Sequence, residues 1–185
     1  MRKVIKGNVN LNNLYLTELF DLSDVEVIGG FYCSDNDLTS LKGAPKAVRN
    51  NPFKFEPGNF YCHNNQLTNL EGAPITVDHD FYCHNSKLIS LEGGPKSVGI
   101  VDKQNGKYSC VGNNLSDLEG APESVGWHFN CYNNPFTSLK GIPKYIGGDF
   151  VISYSLIDVF PKKYIRSLSN IKGKVQYVNL TEYRH

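Results

Sequence analysis

The stretch Phe31–Pro45, "FYCSDNDLTSLKGAP", returns as "FYCHNNQLTNLEGAP" from Phe60 and as "FYCHNSKLISLEGGP" from Phe81. Outward from these three copies the phrase continues. All five cysteines, Cys33, Cys62, Cys83, Cys110 and Cys131, occupy one slot of it. A first apolar slot holds Leu38, Leu67, Leu88, Leu115 and Phe136, and a second holds Leu41, Leu70, Leu91, Leu118 and Leu139. Glycine follows each time at 43, 72, 93, 120 and 141, and proline at 45, 74, 95, 122 and 143. Val48, Val77, Val98, Val125 and Ile146 close the unit. Weaker copies flank the array, with Val9, Leu11, Leu16 and Leu19 before it and Phe150, Ile152, Ile157 and Phe160 after it. Self-similarity at a fixed short period is the signature of a stacked repeat architecture.

Local physics points the same way. Phe31-Tyr32-Cys33-Ser34 alternates with period 2, which directs Phe31 and Cys33 to one face and Tyr32 and Ser34 to the other. So short a strand is stable only beside its copies, where it gains ladder hydrogen bonds and buries its apolar side. Asn36, Asn65, Asn113 and Asn134 stand where the chain leaves the strand and are expected to satisfy backbone groups inside the bend. Ser86 and Ser155 replace asparagine there, and their turns are expected to be less well satisfied. Proline and glycine on the return limb exclude long helices, leaving extended or 3₁₀ segments.

The pattern F-x-C-x-x-N-x-L-x-x-L-x-G-x-P-x-x-V resembles the leucine-rich repeat, in the short form of about 20 residues found in bacterial effector proteins. The resemblance covers roughly residues 8–160. It departs from that family in the cysteine slot, the aromatic strand opening and the Gly-x-Pro return limb. The wording is also similar to arrays encoded by large tailed bacteriophages. The resemblance implies a repeat solenoid built on a short parallel β-sheet arc, with a helix-poor convex side and a cap at each end. The expected divisions are an N-terminal cap with a degenerate first repeat (1–28), the solenoid (29–160) and a basic C-terminal cap (161–185).

The 185 residues carry a formal net charge of +1, which offers no bulk attraction to nucleic acid or to an anionic membrane. The charge is unevenly placed. Residues 162–185 hold six bases against one acid, which reads as a solvated end-piece or as a docking patch for an acidic partner. Lys162–Ser169 is expected to form a short helix and Lys174–Leu180 a strand, together covering the open end of the core. The start lacks the apolar segment of a secretory signal, and no apolar run reaches the length of a membrane span. The expected location is cytoplasmic, in the host cytoplasm if the protein is phage-encoded.

Five thiols in one column read as small apolar core residues. In-register side chains point the same way, which is poor geometry for disulfides, and a straight column does not surround a metal ion. The outward columns carry the candidate contacts: Tyr32, Tyr61 and Tyr82 with Asn130; His63 and His84 with Tyr132; and His128 in the column before them. A turn-side column, Asp35, Asn64, Asn85, Gly112, Asn133 and Tyr154, also reads as free of core duty. Tyrosine and asparagine supply contact area and adaptable hydrogen bonding, as in paratopes. His63 and His84 also admit a small-ligand or metal-binding reading, though no third ligand is evident and no metal or cofactor is expected.

Two insertions, at 49–57 and 99–105, break the rhythm at the same point of the repeat and so emerge on one rim. The first presents Phe53 and Phe55 between Arg49 and Lys54 as an apolar-basic tip, or packs its own phenylalanines. No catalytic motif is present, and none of the residues is assigned a catalytic role. The expected function is non-enzymatic: a protein-binding module that favours the monomer and grips a host protein, as an anti-defence protein would. A self-assembling virion component is the alternative.

Overall fold

The computed structural model describes residues 3–100 and 104–179. Along the chain the first eight strands are β1 (Lys3–Lys6), β2 (Val9–Asn10), β3 (Val25–Ile28), β4 (Phe31–Tyr32), β5 (Ala47–Arg49), β6 (Phe60–Tyr61), β7 (Thr76–Val77) and β8 (Phe81–Tyr82). They continue as β9 (Ser97–Val98), β10 (Tyr108–Ser109), β11 (Ser124–Val125), β12 (Phe129–Asn130), β13 (Tyr145–Ile146) and β14 (Phe150–Ser153). A 3₁₀ turn (Tyr154–Leu156) and helix α1 (Lys162–Leu168) precede β15 (Asn170–Ile171) and β16 (Val175–Val178). The odd-numbered strands form one eight-stranded sheet and the even-numbered strands another. Every neighbouring pair is parallel. The fold is a parallel β-solenoid of about eight turns, nearly free of helix.

The even sheet keeps the expected register: Val9 pairs with Phe31, Phe31 with Phe60, Phe60 with Phe81, and so on to Phe150 with Val175. Phe31, Phe60, Phe81, Tyr108, Phe129 and Phe150 are fully buried. Their rings stack with successive centroids 5.1–5.8 Å apart. Burying a side chain of this size contributes roughly 1.5–3 kcal/mol, and here one is repeated on each rung. The five cysteines are free, fully buried and in the same spine. Burial pushes every thiol up, Cys83 to about 12.

The return limb is extended, as the prolines require, and it is also paired. Val48, Val77, Val98, Val125 and Ile146 lie on odd strands with their side chains in the core. Glycine recurs before these strands for two reasons, seen at Gly72. Its φ is +92°, and a Cβ there would lie 2.5 Å from the Leu41 carbonyl carbon of the preceding rung. The C-terminal segment folds as expected into a helix and a strand, and does more than cover the end. It supplies β15 and β16, an eighth rung beyond the seven that the repeat pattern marks. Phe150 and Ile152 are fully buried beneath it. Among the described residues no helix is long and apolar enough to cross a membrane.

Candidate functional site

The outer face of the even sheet brings four rings together. Tyr61 and Tyr82 pair in register, their rings 4.6 Å apart and within 3° of parallel. Two residues along, His63 and His84 stack 4.3 Å apart at 11°. Tyr61 tilts against His63 at 6.0 Å and Tyr82 against His84 at 5.8 Å. Tyr32 extends this raft edge-on to Tyr61 at 5.2 Å. All five rings are half-buried. The spacing of parallel strands stacks identical residues, so two adjacent copies of Tyr-x-His are enough to build the raft.

Its polar atoms are held from beneath. Ser34, fully buried, places its Oγ 2.9 Å from His63 Nδ1. Tyr82 donates its hydroxyl proton to Asp80 at 3.1 Å. Burial alone would raise the Asp80 carboxyl. Its bonds from His79, the Lys107 amide and Tyr82 prevail and hold it below the usual carboxylate value. Burial, together with the nearby Asp80 charge, raises both Tyr61 and Tyr82. Burial lowers His63, and burial with the neighbouring His63 lowers His84 to about 4. His84 Nδ1 is buried without a hydrogen-bond partner, which fits a neutral ring carrying its proton on Nε2. The four stacked rings at its centre, the phenols of Tyr61 and Tyr82 and the imidazoles of His63 and His84, are therefore uncharged at neutral pH. Among the described residues no group of three or more His, Cys, Asp or Glu is placed to hold a metal ion.

Asn130 and Tyr132 lie in the same columns, both half-buried, but Ser109 and Val111 separate them from the raft. Ser109 and Val151 are buried, so the tyrosine column is not open along its whole length. His128 has a structural duty. Its Nδ1 accepts the Asp149 amide at 2.9 Å, one step of a ladder in which a side chain accepts the next rung's amide. Asn8 does this for Gly30, Asn59 for Asp80, Asp80 for Lys107 and Asp149 for Lys174. Burial lowers His128, in keeping with its acceptor role.

The turn-side column is likewise not free. Asp35, Asn64, Asn85, Gly112 and Asn133 all have φ between +50° and +65°. Asparagine, aspartate and glycine are the residues that tolerate this left-handed conformation. Their recurrence is a backbone requirement.

The first insertion is a hairpin closed by Asn51 and Glu56, whose backbones exchange hydrogen bonds. Phe53 and Phe55 are each 93% exposed, so they do not pack on one another or on the body. No ring contact joins them to the raft among the described residues. Arg49 is not part of the tip. It ends β5 and bonds Glu26 at 3.1 Å and Asp78 at 3.0 Å, clamping three rungs of the odd sheet. The second insertion leaves from the end of β9, the same corner two rungs on, with Ile100 donating its amide to Asn105 Oδ1. Residues 101–103 of it lie outside the described residues. The ladder built on Asn59, Asp80 and Asp149 was hidden from sequence reading because polar residues at a strand entrance also suit solvent. Compared with known protein families, curated proteins and solved structures, the chain finds no match in any of the three.

Proposed function

We propose that this protein is a non-enzymatic binding module that grips another protein through the raft of Tyr32, Tyr61, Tyr82, His63 and His84. One observation carries the reading: five half-exposed aromatic and imidazole rings are locked against one another on a rigid parallel sheet. Tyrosine rings fixed in this way present large contact area with little entropy left to lose on binding. The neutrality of the raft favours an uncharged, partly apolar epitope. Asn130 and Tyr132, set apart from the raft in the same columns, and Phe53 and Phe55 at the rim offer further contacts. The likeness of the repeat to short leucine-rich repeats and to phage-encoded arrays supports a virus-encoded binder of a bacterial host protein, such as a defence component.

The test is affinity capture from bacterial lysate followed by mass spectrometry. A protein retained by the wild type and lost with Tyr61→Ala/Tyr82→Ala supports the reading. Identical retained sets for the two proteins overturn it.

A further inference from the structure

The two sheets end differently at the C-terminal rung. In the odd sheet the last strand, β15, is closed by a side chain from α1. Arg166 donates Nη1 to the Ile171 carbonyl at 2.8 Å and Nη2 to the Gly173 carbonyl at 2.6 Å. An open sheet edge invites pairing with another chain, and a charged side chain laid on it is a common way to prevent that. In the even sheet the last strand among the described residues is β16. Its Lys174 carbonyl accepts the Phe150 amide, so Lys174 and Gln176 turn their main chains toward β14. By the alternation of the ladder, the amides and carbonyls of Val175 and Tyr177 point the opposite way.

A groove of about 440 Å³ runs along this edge, lined by Lys162, Arg166, Lys174, Val175, Gln176 and Tyr177. Lys162 Nζ sits 5.8 Å from the centre of the Tyr177 ring. Between residues 161 and 179 the chain has five bases and no acid. The acid just before the facing strand β14, Asp149, is already engaged by the Lys174 amide and the Gln176 side-chain amide. Arg166 spends two of its five donors on the β15 edge and keeps three.

We propose that β16 is a docking edge for an extended acidic peptide segment of a partner protein. The segment adds as a further strand, taking the main-chain groups of Val175 and Tyr177. Carboxylates on the face beside α1 meet Lys162 and the spare donors of Arg166, and those on the opposite face meet Lys174. Strand addition supplies affinity through the main chain, and the side chains beside the edge supply selectivity. This site shares no residue with the aromatic raft.

The probe is a fluorescein-labelled peptide of about eight residues, Glu-Glu-Thr-Thr repeated so that both faces carry carboxylates, followed by fluorescence anisotropy against the full-length protein. The wild type should bind it, and binding should weaken as salt rises from about 50 to about 300 mM. Lys162→Ala/Lys174→Ala should weaken it about tenfold or more, whereas Tyr61→Ala/Tyr82→Ala should leave it unchanged. The same peptide with alternate backbone amides N-methylated keeps its charge but cannot complete a ladder, and should lose binding equally. Equal binding of the N-methylated peptide reduces the effect to charge and overturns strand addition. Equal binding of a lysine–threonine peptide, tighter binding of a short oligo-dT, or no binding at all would each overturn the proposal as well.

Discussion

Four asparagines show what one buried amide can do in a stacked chain. Asn113 donates Nδ2 to the Cys83 and Cys110 carbonyls at 3.1 and 3.0 Å, on successive rungs. Its Oδ1 accepts the Ser86 and Leu88 amides, both at 3.1 Å. Asn36, Asn65 and Asn134 repeat the arrangement, each less than a tenth exposed. Ser86, in the same slot, offers Asn65 only a long contact of 3.4 Å, as its shorter side chain requires. Each orphaned buried group costs about 1–3 kcal/mol. Asn113→Ala should therefore lower unfolding stability in urea by about 3 kcal/mol or more. Exposed Asn114→Ala should change it by less than about 0.5 kcal/mol. His84 makes a second prediction. Its folded value of about 4 lies below the ordinary histidine value of 6.5, so the unfolded chain binds the proton more readily. Stability from this group is fully present above about pH 6.5 and is lost as pH falls toward about 4. The melting temperature should drop over that window, His63 adding in the same direction. His84→Phe, which keeps the stack, should flatten the slope.

Among the elements, the edge of β15 gives the clearest test. Arg166→Ala leaves the Ile171 and Gly173 carbonyls without their partner and uncovers the odd sheet. Concentration-dependent association by light scattering is expected for the variant and should exceed that of the wild type, whose remaining open edge at β16 is lined by Lys162 and Lys174. The elements also show what sequence could and could not reveal. The even sheet was legible because Phe-x-Cys spans enough residues to show alternation and because its register is copied in full. The odd sheet was not. Strands such as Thr76–Val77 turn a single apolar residue, Val77, into the core, and one inward residue displays no alternation. Proline and glycine on either side correctly excluded helix without announcing pairing. Tyr61, Tyr82, His63 and His84 were found as columns, but Asn64 and Asn85 misled, since asparagine serves left-handed backbone and contact surfaces alike. His128 carries a structural duty that its column did not reveal, its Nδ1 accepting the Asp149 amide.

At the scale of the whole molecule, one continuous interior runs from Leu19 to Val175. It holds all five thiols, each raised by burial and fully shielded from solvent. Only the thiolate reacts readily, so the folded protein should be inert to a thiol-reactive chromogenic disulfide. All five thiols should titrate together once guanidinium unfolds the chain. Partial early reaction would show that the rungs open separately.

The exact correspondence of Phe60 with Phe81 means that the stretch Phe60–Asp80 starts and finishes at equivalent points of neighbouring storeys. A gene carrying that stretch twice should encode a taller molecule. It would gain one floor of about 4.8 Å and a third Tyr-x-His tile on its outer wall. The height of this tower, and the reach of whatever it clasps, can thus be set by copy number alone.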